Sequence, residues 1–181
     1  MQEIADRAGI NKALLHYYFR DKEGLYQATI QSVVDDVFLK VSAPVLGSNS
    51  PKSPEEAVRL FIRSYMTVLR NNPDLVGMVL RELADGGKHL APLTENLSKA
   101  IQQFSAKVFG SSNILLNKNA PQLMINMASM IWGTFLLRPF FSRILPQAGF
   151  ALSFDDSFYE GRIESISAII LREFQHANTH P

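Results

Sequence analysis

The 181-residue sequence has no cysteine, which excludes disulfides, thiolate nucleophiles and cysteine-ligated metal or redox sites, and suits a reducing compartment. It lacks an excess of charge of either sign: 18 Lys and Arg face 17 Asp and Glu, so no global cationic field announces a nucleic-acid partner and any such partner has to be read locally. It also lacks a membrane-length apolar run. The most apolar stretch, "LMINMASMIWGTFLL" from Leu123 to Leu137, is too short for a span and is broken by Asn126, and the opening "MQEIADRAGI" has no apolar signal region. A Gly-rich phosphate loop and a carboxylate–histidine grouping with catalytic spacing are missing too. His176 and His180 share helical spacing but sit in the tail "HANTHP" and are not assigned as metal ligands. The expectation is a soluble cytoplasmic protein that is not an enzyme, has no cofactor or metal, and does not enter a membrane.

What is present is helical periodicity with clear punctuation, which predicts an all-α fold. Leu25, Tyr26, Ile30, Val33, Val37, Phe38 and Val41 recur mainly three and four apart, predicting one long helix that stops near Pro44. After the loop "SAPVLGSNSPKSP", Ser53-Pro54-Glu55-Glu56 reads as a capping box with proline at the first helical position, opening a helix with Ala57, Phe61, Tyr65, Val68 and Leu69 on one face. Asn72-Pro73-Asp74 restarts the chain, and Leu75, Val76, Val79, Leu80 and Leu83 carry the next helix to Gly86-Gly87. Further stripes run through Leu93 to Val108, Leu123 to Phe135 and, after a break at Arg138-Pro139, a short aromatic segment "FFSRIL". The last helix is expected to begin near Ser157, with Glu160 completing a second capping box and Ile163, Ile166, Ile170 and Phe174 facing inward or toward a partner.

Function is concentrated in "AGINKALLHYYFRDKEGL", residues 8 to 25. Gly9 suits the left-handed position past a short helix carrying Ile4, Ala5 and Ala8, and Asn11 suits the cap of the next helix; together they make a helix-turn-helix pattern. In the second helix Leu15 and Phe19 point inward. Lys12, Ala13, His16 and Tyr17 fall opposite, with Leu14 and Tyr18 at the flanks, the division that a helix entering the major groove requires. Ala13 lets the backbone approach DNA, Lys12 reaches a guanine edge or phosphate, and the hydroxyls and His16 donate to phosphate oxygens. Asn11 serves as cap and contact. Lys22, a cation in a first helical turn, opposes the helix dipole by about 0.3–1 kcal/mol, a cost that a bound phosphate would reverse. The segment is not basic overall: residues 1 to 26 hold Arg7, Lys12, Arg20 and Lys22 against Glu3, Asp6, Asp21 and Glu23.

The stretch "IADRAGINKALLHYYFRDKEGL" closely resembles the DNA-binding segment of the tetracycline-repressor (TetR) family of bacterial transcriptional regulators, through Ile4, Ala5, Ala8, Gly9, Ile10, Asn11, Leu15, Phe19 and Lys22. The resemblance implies a ligand-responsive repressor: a homodimer whose recognition helices read a palindromic double-stranded DNA operator and release it when a small apolar or amphipathic effector binds the C-terminal region. DNA contacts are then expected from Asn11, Lys12, Ala13, Leu14, His16, Tyr17, Tyr18 and Lys22. Two departures stand out. The family carries a helix before the Ile-Ala segment, often with a basic arm, so a sequence starting at Met1 is expected to be an incomplete DNA-binding unit; and the family usually has tyrosine where His16 stands.

The expected division is residues 1–26 for the helix-turn-helix and 27–181 for effector binding and dimerisation, with the helix from about 22 to 43 bridging the two. Phe61, Tyr65, Met78, Arg81, Phe104, Met127, Trp132 and Phe135 are the candidates for an effector pocket, being large, adaptable and accompanied by few charges. Arg81 and Glu82 are read as surface charges or as groups that orient a polar ligand, and His89 as solvent-facing. Met124 and Ile131, with Gly161, Ile163, Ser165, Ile166, Ile170 and Phe174 of the last helix, are the candidates for a four-helix dimer interface, because small residues there allow another helix to approach closely. The alternative is a helical small-molecule-binding protein that no longer binds DNA.

Overall fold

A computed structural model describes residues 1–47, 51–90, 98, 99, 101–103, 106 and 120–179, apart from the side chains at 120, 174 and 176–179. Among these residues every regular element is helical, as the periodicity predicts. The helices with defined bounds are α1 (Gln2–Ala8), α2 (Lys12–Phe19), α3 (Lys22–Leu46), α4 (Pro54–Asn71), α5 (Pro73–Ala84), α6 (Ala120–Leu136), α7 (Arg138–Gln147) and α8 (Asp156–Thr179). Ser98, Lys99, Ile101 to Gln103 and Ala106 are also helical; the rest of the stripe expected from Leu93 to Val108, Phe104 included, lies outside the described residues, as does His180.

α4 is the centre of the apolar core, which defines the larger helical part of the chain. Ala57, Val58, Ile62, Met66, Val68 and Leu69 are buried along it, against Val41 and Val45 of α3, Leu75 of α5, Ile131 and Phe135 of α6, and Tyr159, Ile163, Ile166 and Ile170 of α8. The helix starts as expected, with Pro54 in its first turn and the Ser53 hydroxyl accepting from the Glu56 amide (3.1 Å). Glu56 reaches back to the Lys52 amide (2.9 Å), one residue earlier than a capping box predicts.

Outside that core, α4 and α8 run antiparallel under a ladder of exposed ion pairs: Arg59 with Glu164, Arg63 with Glu160 (2.5 Å) and Arg70 with Asp156 (2.5 Å). Such pairs fix register more than they stabilise. α6 meets α8 through Arg162, which donates to the Met130 carbonyl (3.2 Å) and the Thr134 hydroxyl (3.2 Å), satisfying polar groups that the apolar contact would otherwise strand. No helix among the described residues is long and apolar enough to cross a membrane.

Several expectations change. α3 continues through Pro44 to Leu46, because a proline in the last turn sacrifices a single helical hydrogen bond while Val45 is completely buried in the core. Ile131, Ile163, Ile166 and Ile170, taken as dimer contacts, belong to the chain's own core; the isoleucine stripe of α8 is what α4 and α6 pack on. α8 is capped by Asp155, whose carboxylate accepts from the Phe158 amide (3.0 Å) and the Ser157 hydroxyl (2.7 Å); Glu160 is engaged by Arg63. On α5, Leu80 and Leu83 are exposed and Glu82 takes the inward position, seven residues on from Leu75. α7 buries no side chain, and Phe140, Phe141 and Ile144 are exposed.

Ile62 is completely buried at the middle of α4. Ile62→Ala is expected to lower unfolding free energy by about 2–5 kcal/mol, read as a shift in the urea midpoint without a change of slope. The hydrogen bonds from Ser157 and Phe158 hold the Asp155 carboxyl down at about 2. A depressed carboxyl stabilises above its ordinary value and loses that contribution as pH falls toward the folded one, so Asp155→Asn is expected to flatten acid unfolding monitored by circular dichroism between about pH 4 and pH 2.

Candidate nucleic-acid interface

The turn between α1 and α2 forms as the residues dictate. Gly9 adopts a left-handed conformation (φ 65°), its amide bonding the end of α1 while the Ile10 amide closes back on the Ala5 carbonyl (3.0 Å). Asn11 is extended, and its side-chain oxygen accepts from the Ala13 amide at 2.8 Å, capping α2. Ala5 and Leu15 are buried, Phe19 is half-buried, and Ile4 and Ala8 are exposed.

All eight residues expected to contact DNA are exposed: Asn11, Lys12, Ala13, Leu14, His16, Tyr17 and Tyr18 along the cap and body of α2, and Lys22 at the first position of α3. Tyr17 and Tyr18 stand edge to face, with ring centroids 5.2 Å apart, and both are largely exposed. Arg7 is paired with Glu3 (2.9 Å), whereas among the described residues Lys12, Arg20 and Lys22 enter no ion pair. Three unpaired cations therefore line this edge although the segment has no net charge.

The junction of α2 with α3 is unusually tight. Arg20 has φ 63° and ψ −59°, rare for a residue with a side chain, and the Asp21 amide donates to the Phe19 carbonyl at 2.7 Å across it, a strained γ-turn. His16 Nδ1 lies 2.8 Å from the Arg20 carbonyl; a carbonyl only accepts, so this nitrogen carries a proton. Asp21 then caps α3 by accepting from the Gly24 amide (2.8 Å), and a Cβ at Gly24 would run into the Phe19 carbonyl oxygen. The sequence reasoning singled out Lys22 here and missed Arg20 and Gly24. The "RDKEG" spacing of cap and glycine was the available signal.

Behind the junction lies a second group that the sequence did not reveal. Glu82 and His89 are buried, contrary to the surface readings given them, while Arg81 beside Glu82 is exposed. Tyr26 of α3 donates to Glu82 (2.6 Å), which lowers the Glu82 pKa from its ordinary value and, through the same bond, raises that of Tyr26. Gly86 and Gly87, at φ 82° and 70°, turn the chain after α5 so that His89 returns onto Glu82.

In the larger unit Phe61, Tyr65, Met78, Met127 and Trp132 are half-buried against the core, and Trp132 Nε1 donates to the Tyr65 hydroxyl at 3.0 Å. Burial raises the Tyr65 pKa. Phe135, expected beside them, is instead stacked on Tyr159 inside the core (5.8 Å), and Arg81 points away. Of the remaining dimer candidates Met124 is half-buried, Gly161 and Ser165 are exposed, and the side chains of Phe174 and His176 lie outside the described residues.

A short helix, a glycine turn and a capped helix with an outward polar face define a helix-turn-helix protein. Residues 1–29 match the model for "Bacterial regulatory proteins, tetR family". Over 172 residues the chain is 28% identical to the HTH-type transcriptional regulator RutR of Escherichia coli O157:H7, covering 94% of this chain and 78% of that protein. RutR of Shigella flexneri gives the same identity and coverage. The HTH-type transcriptional regulator BetI of Pectobacterium carotovorum subsp. carotovorum (strain PC1) is 34% identical over 58 residues, 31% of this chain and 30% of that protein. No solved structure matches the chain. Residues 1–29 thus carry the sequence of the TetR-family DNA-binding segment, and over most of its length the chain is similar to HTH-type transcriptional regulators.

Gly24→Val is expected to force the Phe19 carbonyl away and loosen α2 against α3, seen as faster amide exchange over residues 12–19 with the α4 core unaffected. Asn11→Ala removes the cap and is expected to cost about 1 kcal/mol locally, read in the same exchange profile.

Proposed function

We propose that the exposed face of α2 and the first turn of α3 read a palindromic operator, that the chain does so as a cytoplasmic homodimer, and that it acts as a repressor released by a small apolar or amphipathic effector rather than as an enzyme. The observation that carries this reading is the split of α2: Leu15 is buried while Lys12, Ala13, His16 and Tyr17 are all exposed, continuous with Lys22. Unpaired cations at the edge of a helix whose face is small and polar suit phosphates flanking a major groove.

The proposed dimer surface keeps Gly161 and Ser165 and otherwise lies on different residues from those expected. Gly161, Ser165, Ala168 and Ile169 form an exposed stripe on α8, and Ile125, Ala128 and Ser129 form another on α6, which packs beside α8. Small residues flanking exposed isoleucines let a second pair of helices approach closely. For the effector, Phe61, Tyr65, Met78, Met127 and Trp132 supply half-buried apolar surface, and the Tyr65 hydroxyl, already accepting from Trp132, keeps its own proton to donate. An effector that binds one orientation of the recognition helices better than the other shifts the equilibrium by that difference.

Selection from a randomised duplex pool at several salt concentrations tests the reading. Enrichment of one palindrome with a steep salt slope is the expected result. Ligand binding with no duplex enriched would instead favour a small-molecule-binding protein. Lys22→Ala is expected to weaken all duplexes alike and reduce the salt slope of the dimer by about two, one per half-site, whereas Lys12→Ala is expected to relax preference at one base pair of each half-site by about 1–3 kcal/mol. Ile169→Glu is expected to halve the mass measured by sedimentation.

A further inference from the structure

Each ring nitrogen of His89 faces a carboxylate. Nε2 lies 2.6 Å from Glu23 Oε1, and Nδ1 lies 2.9 and 3.0 Å from the two oxygens of Glu82. Ionised carboxylates only accept, so both nitrogens have to donate, and the arrangement is that of a charged imidazolium. Tyr26 completes the group by donating to Glu82, and its ring lies edge-on to the imidazole with centroids 4.8 Å apart. Lys88 approaches the same Glu23 oxygen, Oε1, more loosely at 3.4 Å, while Arg81 and Asp85, both exposed, act on Tyr26 only through space.

The position of this group is what gives it consequence. Glu23 is the second residue of α3, next to Lys22 and just past the γ-turn that ties α3 to α2. Glu82 and His89 belong to α5 and the turn after it. Because the Asp21 cap and the Gly24–Phe19 contact make the α2–α3 junction stiff, whatever holds Glu23 also holds the orientation of α2. The joint has a strong and a weak side: Glu82 is 1% exposed, whereas Glu23 keeps 62% of its side chain in water, so Glu23–His89 is the contact that opens first.

We propose that charged His89 is a latch that fastens the DNA-reading unit to the larger helical unit through Glu23, and that loss of its proton frees α2 from one fixed orientation, so that affinity for DNA falls as pH rises. This rests on the assignment of α2 as the recognition helix. A dimer reading two half-sites needs both helices at one separation, and a released helix has more orientational freedom to lose on binding.

The direction of titration supports it. The bond to Glu23 and the pairing with Glu82 raise the His89 pKa above its ordinary value, against burial, which lowers it. A raised histidine contributes fully below about 6.5 and loses that contribution as pH climbs through the higher folded value. Glu23 and Glu82 are both lowered, by His89 and Tyr26 respectively, so their share is present above the ordinary carboxyl value and fails only in acid. The latch is thus closed in mildly acidic solution and opens toward alkali.

The test uses the full chain as wild type, Glu23→Gln and His89→Gln. The His89 imidazole is titrated by NMR, amide exchange over residues 12–19 is followed from pH 6 to pH 9, and affinity is measured for the duplex that the wild type enriches from a random pool. The expected wild type has a raised His89 midpoint, with α2 protection and affinity falling together by about tenfold for each unit of that elevation. Glu23→Gln is expected to bring the midpoint down and leave α2 protection low and flat, and His89→Gln is expected to remove the pH dependence of α2 protection. A His89 midpoint at or below the ordinary value, or equal profiles in wild type and Glu23→Gln, overturns the latch. A wild type that enriches no duplex overturns the DNA-binding assignment, while titration and exchange still decide the latch.

Discussion

A carboxylate removed from water has to be surrounded by donors, and the placement of Glu82 is the constraint on which the relation between the two ends of the molecule depends. Its oxygens are satisfied by Tyr26 from α3 and His89 from the turn after α5. Loss of either partner leaves the buried carboxylate short of a donor. The pairing therefore fixes the start of α3 against α5, and through the stiff junction at Arg20 and Gly24 it also fixes α2. The apolar core around α4 holds the larger unit together; the polar group around Glu82 determines how the smaller one is aimed.

The molecule divides its chemistry between these two kinds of contact. Around α4, burial is apolar and non-directional, with Ile62, Met66, Ile131 and Ile166 among the most enclosed side chains, and the ion pairs outside it set register between α4 and α8. Around the helix-turn-helix the contacts are directional: an asparagine cap, a histidine on a carbonyl, an aspartate cap and a histidine between carboxylates. Directional contacts suit a part of the protein that must present a few side chains at defined angles. They are also the contacts that protonation can alter.

Much of the interface was legible because its signals are local. Gly9 and Asn11 can be read as a turn and a cap within three residues, and the inward spacing of Leu15 and Phe19 assigns the outward face without reference to the rest of the chain. The errors arose where periodicity had to be converted into partners. An isoleucine stripe on α8 reads the same whether it meets another chain or α4 of its own. Phe135 at helical spacing reads the same in a pocket or a core. Glu82 and His89 were misjudged because polarity suggests solvent, although seven residues from Leu75 to Glu82 is the spacing of one helix face and two glycines before His89 permit the chain to double back.

The sequence by itself determined the helices, their caps and the face of α2, since each depends on side chains within about one turn of one another. It also carried the likeness to the TetR-family DNA-binding segment, which lies in one contiguous stretch. Only the tertiary structure decided which apolar stripes cover one another, that Arg20 closes a strained turn, and that Glu23, Tyr26, Glu82 and His89 meet. Those residues are separated by more than 50 positions between α3 and α5. Their encounter depends on how long helices pack, and no local pattern in the chain specifies it.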